Sequence, residues 1–160
     1  SREIMYLRDR FKIKNSNDFY MVGGMGHSSM VSLGYSLQTN QIVFCLDGDG
    51  SILMHLGSLR TIGFNNNKKI KHVLFNNNSH ESVGGQATNA DGIDFKNLVK
   101  SVGYRNYFKI SKKSEIKNNI KKFIKFKGPS FLEVKISNGS LNNLERPKNL
   151  KNIKQIFMKK

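Results

Sequence analysis

Between Gln41 and Asn78 the chain lays down two apolar strands joined by one helix, and each strand stops on residues able to bind a ligand. The run Gln41-Ile42-Val43-Phe44-Cys45-Leu46 ends at Gly48-Asp49-Gly50-Ser51. Ser51 to Ile62 has helical spacing. His72-Val73-Leu74-Phe75 is the next strand, and it delivers Asn76-Asn77-Asn78, with Asn77 standing 28 positions after Asp49. Two strands joined by a helix read as a parallel crossover unit. Ile42 to Leu46 is nearly continuous in apolar residues, as a strand buried on both faces should be. This unit commits the chain to an α/β fold, with a mostly parallel sheet and helices on both faces.

The remaining pattern extends that reading. Phe19-Tyr20-Met21-Val22 reads as a strand ending at Gly23-Gly24. Ser28 to Thr39 reads as a helix with Met30, Leu33, Gly34 and Leu37 on one face. Ser79 to Gly92 is polar and glycine-bearing, the composition of a functional loop. Asp94 is placed to cap a helix through Val102, with Gly103 closing it. Tyr107 to Ile110 is a strand. Ser114 to Phe126 is a basic amphipathic helix with Ile116, Ile120, Phe123 and Ile124 inward, stopped by Gly128-Pro129. Phe131 to Ile136 is the last strand. The expected organisation is an α/β domain over residues 1–137 and a polar C-terminal tail, 138–160, with a short helix near Ile153, Ile156 and Phe157.

The net charge is +16, and fifteen Lys/Arg against three Asp/Glu lie in 109–160. Such a balance invites a nucleic-acid reading. Runs such as Asn65-Asn66-Asn67 and Lys117-Asn118-Asn119-Ile120-Lys121-Lys122 instead read as a solvated surface, and aromatics are not interleaved as a base-stacking surface needs. No stretch reaches the ~18 apolar residues of a membrane span. The one cysteine, Cys45, sits inside an apolar strand and reads as a small core residue. Neither nucleic acid nor membrane is an expected partner. With no disulfide framework, the cytoplasm is the expected location.

The chemistry sits past strand ends, where open α/β sheets bind ligands. Gly23-Gly24-Met25-Gly26-His27 and Gly48-Asp49-Gly50-Ser51 each follow a strand and open a helix, so their backbones can approach a phosphate. Asp49 and an oxygen from the asparagine cluster offer hard ligands. With a diphosphate they suit Mg²⁺, which takes octahedral oxygen and shares substrate phosphates.

These motifs resemble the diphosphate-binding domain of thiamine-diphosphate-dependent decarboxylases. Gly24-Met25-Gly26-His27, the segment Gly48 to Leu59, His80-Glu81-Ser82-Val83-Gly84-Gly85-Gln86-Ala87-Thr88 and Gly128 to Val134 are similar to the phosphonopyruvate decarboxylase family, and the likeness includes Ser1-Arg2-Glu3. Sulfopyruvate decarboxylase is a near relative of that family.

The resemblance implies thiamine diphosphate and Mg²⁺ as cofactors. It assigns Asp49, the Asn77 side chain and the Ser79 carbonyl to the metal; a register shift of one would put Asn76 or Asn78 in place of Asn77. Gly48, Gly50 and Ser51 would face the diphosphate. Met25 would wedge the cofactor into its bent shape between Gly24 and Gly26, and the Gly23 carbonyl would accept from its 4′-amino group. His27 would contact cofactor or substrate, and His80 and Glu81 would contact substrate or carry a proton. His55 is expected only to pack. The activity implied is decarboxylation of a small 2-oxoacid, phosphonopyruvate giving phosphonoacetaldehyde and CO₂.

In such enzymes the activating glutamate comes from a pyrimidine-binding domain, which does not fit in 160 residues. The expected partner is therefore that domain, in the same longer chain or in a separate subunit of a homo- or hetero-oligomer. The diphosphate-binding domain is also expected to lack its first strand. Two departures stand out. The family favours Gly-Ser-Arg-x-Asp-Leu-Gly-Arg-Pro where this chain has Gly139-Ser140-Leu141-Asn142-Asn143-Leu144-Glu145-Arg146-Pro147, and Asn78-Ser79 replace a typical Gly-Ala. The competing readings are a sulfopyruvate decarboxylase subunit, a basic nucleic-acid-binding module, and an inert remnant.

Overall fold

The computed structural model describes residues 2–13 and 17–158; Ser1, at the head of the family-like opening, and Lys159 and Lys160 in the tail lie outside them. In chain order the elements are α1 (Arg2–Arg10), α2 (Ser28–Gln38), β1 (Val43–Gly48), α3 (Asp49–Met54), α4 (Gly57–Asn65), β2 (Ile70–Asn76), α5 (Phe95–Ser101), β3 (Asn106–Ile110), α6 (Ile116–Lys125), β4 (Ser130–Lys135) and α7 (Leu150–Met158). They fall into two compact units. Residues up to Met25 join those from Gly139 onward in one, and Gly26–Asn138 form the other.

The larger unit is a parallel four-stranded sheet in the order β1-β2-β4-β3. Helices cover both faces. On one face Leu74 and Phe131 pack with Leu33 of α2, Ile52 of α3, Leu59 and Ile62 of α4, and Phe95 and Val99 of α5. On the other, Val73, Ile110 and Leu132 pack under Phe123 of α6. This alternation is the two-residue period of strands buried on both sides.

β1 departs from the expected double burial. Cys45 and Asp47 are buried, but Phe44 and Leu46 are 47% and 42% exposed. β1 is the edge of this four-stranded sheet, and α6 meets it where Phe123 packs edge-on against Phe44, ring centroids 6.3 Å apart. The α6 stripe is narrower than its spacing predicted for the same reason. Phe123 is buried, whereas Ile116, Ile120 and Ile124 stay about half exposed.

Three further expectations need correction. α2 buries Ser29, Leu33 and Ser36, not Met30 and Leu37. The serines let α2 approach its neighbours closely while remaining satisfied: Ser29 Oγ donates to Ser58 Oγ at 2.8 Å, and Asn67 Nδ2 donates to Ser36 Oγ at 2.8 Å. The helix expected over Ser51–Ile62 is two helices, because His55 leaves the helical region at φ −137°, ψ 54°. Phe19–Val22 is not a strand. β propensity needs a ladder to express itself, and among the described residues the smaller unit holds helices α1 and α7 and no sheet. There the segment is fixed otherwise. Arg8 grips Asp18 through two hydrogen bonds of 2.8 Å, Tyr20 donates to Asp18 at 3.0 Å, and Phe19 packs on Phe157.

The capping expectations hold. The Asp94 side chain accepts from Asn97 N at 3.0 Å. Gly103, at φ 105°, closes α5 with Tyr104 N donating to Val99 O and Gly103 N to Lys100 O, the paired bonds of a Schellman turn. α4 seats on that turn through Gly63. A Cβ there would lie 2.8 Å from the Val102 carbonyl carbon and 3.0 Å from Gly103 Cα. Both are backbone atoms with no rotamer to yield. Gly63→Ala is therefore expected to destabilise the domain by about 1–3 kcal/mol. Urea unfolding with an unshifted midpoint would contradict this packing.

Candidate active site

β1 runs straight into α3, so Asp49 opens a helix at a strand's carboxyl end. Gly48 gives this first turn no side-chain cap, leaving its N–H groups available to an acceptor. Asp49 is 2% exposed. Its Oδ2 accepts from Thr88 Oγ1 at 2.5 Å. Among the described residues no Lys, Arg or His pairs with it. A buried carboxylate with a neutral partner alone is unfavourable without a cation. The donor set therefore fits a hard divalent ion.

β2 ends in the asparagines, and each has a separate task. Asn76, 1% exposed, turns into the sheet and donates to Glu133 Oε1 at 3.0 Å. Asn77 donates to Glu81 Oε2 at 2.9 Å, while its Oδ1 accepts from Ser79 N at 3.2 Å. Asn78 Oδ1 accepts from Asp91 N at 3.0 Å and lies 3.4 Å from Thr88 Oγ1. The Asn78 backbone is left-handed, φ 62°. Asparagine tolerates that conformation better than most residues, which accounts for its standing where the resembling sequences carry glycine.

The loop beyond is folded back on itself. Ser79 bridges Ala87, His80 N donates to Gln86 O at 2.8 Å, and the His80 carbonyl accepts from Val83 N and Gly85 N. Gly84 and Gly85 turn it at φ 141° and 79°. His80 thereby lies against Gly50: a Cβ on Gly50 would come within 2.6 Å of the His80 Cε1. Gly26 N donates to Ser51 Oγ at 2.9 Å. The His27 and His55 rings pack at a 41° tilt with centroids 4.2 Å apart.

The structure thus brings Gly26, His27, Gly48, Asp49, Gly50, Ser51, Asn77, Ser79, His80 and Glu81 into one unit at the strand ends. Gly23, Gly24 and Met25 belong to the other unit, where Gly23 has φ 77° and a Cβ on Gly24 would meet the Met21 side chain. Two groups went unread in the sequence. One is Thr88, the hydroxyl on Asp49. The other is a buried polar cluster under β1. His72 Nδ1 lies 2.9 Å from the Tyr104 hydroxyl, and its Nε2 lies 3.4 Å from Asp47 Oδ2, with Cys45 alongside. Burial pulls the His72 pKa down, but Tyr104, Cys45 and Asp47 together outweigh it and hold the imidazole above its ordinary value. The register that sets Cys45 beside His72 belongs to the strand pairing and is not legible in either segment alone.

A parallel sheet with polar segments at the carboxyl ends of β1 and β2 has the layout of a ligand-binding α/β domain. Residues 4–134 match the thiamine pyrophosphate enzyme C-terminal TPP-binding domain, and the chain belongs to that family. It is 36% identical over 148 residues to phosphonopyruvate decarboxylase of Streptomyces viridochromogenes, covering 92% of this chain and 36% of that one. It is 44% identical over 104 residues to sulfopyruvate decarboxylase subunit beta of Methanocaldococcus jannaschii, covering 64% of this chain and 53% of that one. The chain thus spans about a third to a half of these relatives. A solved Mycobacterium smegmatis chain assigned to the thiamin diphosphate-dependent enzymes shares the fold, with TM-score 0.61 over 73% of this chain and 23% of that one, at 21% identity. No helix among the described residues is long and apolar enough to cross a membrane.

Proposed function

We propose that this chain is the cofactor-binding half of a thiamine-diphosphate- and Mg²⁺-dependent decarboxylase that converts phosphonopyruvate to phosphonoacetaldehyde and CO₂. The observation that carries the proposal is Asp49, a buried carboxylate at a strand end without a cationic partner among the described residues. Asp49, the Asn77 side chain and the Ser79 carbonyl would hold the metal. Each asparagine Oδ1 accepts one backbone N–H, Asn76 from Asn78, Asn77 from Ser79 and Asn78 from Asp91, so it is the resemblance that selects Asn77. The Gly50 and Ser51 N–H groups would face the diphosphate. Gly26 and His27 would line the thiazolium end. When bound, the cofactor supplies an electron sink for the departing carboxylate. The protein orients the substrate, excludes water and moves a proton, for which His80 is the side chain seated on the Gly50 turn.

A pyrimidine-binding domain would complete the site, in the same longer chain or as a second subunit. The beta-subunit name of the archaeal relatives supports the two-subunit form. Those relatives also support a second substrate reading, sulfopyruvate. Coupled assays of the complete enzyme with phosphonopyruvate, sulfopyruvate and pyruvate separate the three. Phosphonopyruvate is expected to be preferred, because a pocket with donors for a dianion leaves them unpaired around pyruvate. His80→Ala is expected to lower kcat/KM by about 100-fold with little change in cofactor affinity. Glu81→Ala is expected to weaken metal binding as well, since Glu81 holds Asn77. Comparable turnover of pyruvate, or unchanged kinetics in the His80 variant, counts against the substrate assignment and leaves the cofactor assignment standing.

A further inference from the structure

We infer that Thr88 is a positioning residue of the metal site, and that it couples metal occupancy to the loop carrying His80 and Glu81. The inference rests on the reading of Asp49 as a metal ligand.

Thr88 is 9% exposed and held at both ends. Its N–H donates to the Asn78 carbonyl at 3.2 Å, and its hydroxyl reaches Asp49, 39 positions back in the chain. A threonine hydroxyl has one proton to donate. Two acceptors compete for it, Asp49 Oδ2 at 2.5 Å and Asn78 Oδ1 at 3.4 Å. Distance and charge both favour the carboxylate, because O–H···O⁻ bonds are the short, strong class. Asn78 Oδ1 has Asp91 N in any case. A carboxylate accepts at about four lone-pair sites, and Thr88 occupies one of them. The rest stay open to a cation, while the plane of the carboxylate is fixed.

Thr88 and Asn78 also form the base of the loop. Above their bond come the Ser79–Ala87 bridge and the His80–Gln86 bond. Ser79 and Asn77, two of the three proposed ligands, flank Asn78 on one side of this base, and Thr88 grips the third ligand from the other. Ordering Asp49 on a metal therefore orders Thr88, and with it the closed form of loop 79–88. By linkage the closed loop in turn favours the metal.

The plainer alternative is that Thr88 only satisfies a buried carboxylate in the metal-free chain. In that case its hydroxyl competes with the metal, and removing it leaves affinity unchanged or raises it. The two accounts differ in sign.

The test is calorimetric titration of Mg²⁺ into the complete enzyme at saturating thiamine diphosphate. Hydrogen exchange over 79–88 is followed with and without the metal. Thr88→Val is expected to raise the Mg²⁺ Kd about tenfold, the lower range for losing a partner that orients a ligand. Thr88→Ser keeps the hydroxyl and is expected to restore it. Mg²⁺ is expected to slow exchange over 79–88 in the native enzyme and in Thr88→Ser, but not in Thr88→Val. Thr88→Ala, read the same way, replaces the valine variant if circular dichroism shows that one unfolded. Mg²⁺ affinity in the hydroxyl-free variant equal to or tighter than native overturns the inference while leaving the metal site in place. A native enzyme that takes up no Mg²⁺ overturns the metal site itself, and this inference with it.

Discussion

Asp49→Ala is expected to abolish Mg²⁺-dependent binding of thiamine diphosphate. The side chain lost is a buried carboxylate whose partner in the structure is the neutral Thr88 hydroxyl. In the proposed site it is also the one anionic ligand that the protein supplies, since Asn77 and the Ser79 carbonyl are neutral oxygens. Mg²⁺ sheds its water reluctantly and needs carboxylate or phosphate charge to do so. Loss of a ligand that only orients another costs 10–100-fold, so loss of the charged ligand itself should exceed about 100-fold. The fold should survive, because the substitution removes a buried charge that lacks a cationic partner and leaves only the Thr88 hydroxyl to find a new acceptor. Asp49→Asn, which keeps an oxygen but not the charge, should fall between. Calorimetry showing native cofactor affinity in a folded Asp49→Ala variant would sink the metal assignment.

What could be read from the sequence was the part written in local chemistry. Strand β2 with its asparagines, the Asp94 cap and the Gly103 turn each depend on residues within one or two turns of one another, and each stands as expected; Asp49 stands at a strand end as expected, though the helix starts on it and not at Ser51 after a turn. What could not be read depended on distant partners. Phe19–Val22 carries strand residues, but among the described residues of its unit no strand is there to pair with them. Helical periodicity ran on through His55, where the backbone breaks. α2 buries serines because bonds to Ser58 and Asn67 satisfy them, which hydropathy alone cannot show. At the candidate site, spacing drew attention to Asp49 and the asparagine cluster, and the resemblance singled out Asn77. Thr88 was visible only as the last letter of a glycine-rich loop, and its place beside Asp49 depends on how that loop folds back.

The 160-residue stretch by itself is expected to leave exchange of the thiazolium C2 proton near the rate of free cofactor. In the resembling enzymes a glutamate supplied by the pyrimidine-binding domain activates the aminopyrimidine ring. The carboxylates at the strand ends here have other partners. Asp49 takes the Thr88 hydroxyl, Glu81 takes Asn77, and Glu133, buried, takes Asn76 and Tyr107 with Lys135 3.3 Å away. Moving any of them to the pyrimidine ring would break one of these bonds. A carboxylate supplied by the completing domain meets no such conflict. Proton exchange followed by NMR should therefore be slow with this stretch alone, even with Mg²⁺ and thiamine diphosphate at saturation. It should quicken by at least about 100-fold when the completing domain is present, the range for a positioned acid or base. Mutating that domain's glutamate should return exchange to the slow rate without releasing the metal, because Asp49 and Asn77 stay where β1 and β2 put them. Fast exchange in the stretch alone would mean that one of its own carboxylates, Glu81 foremost, swings away from its present partner to activate the ring.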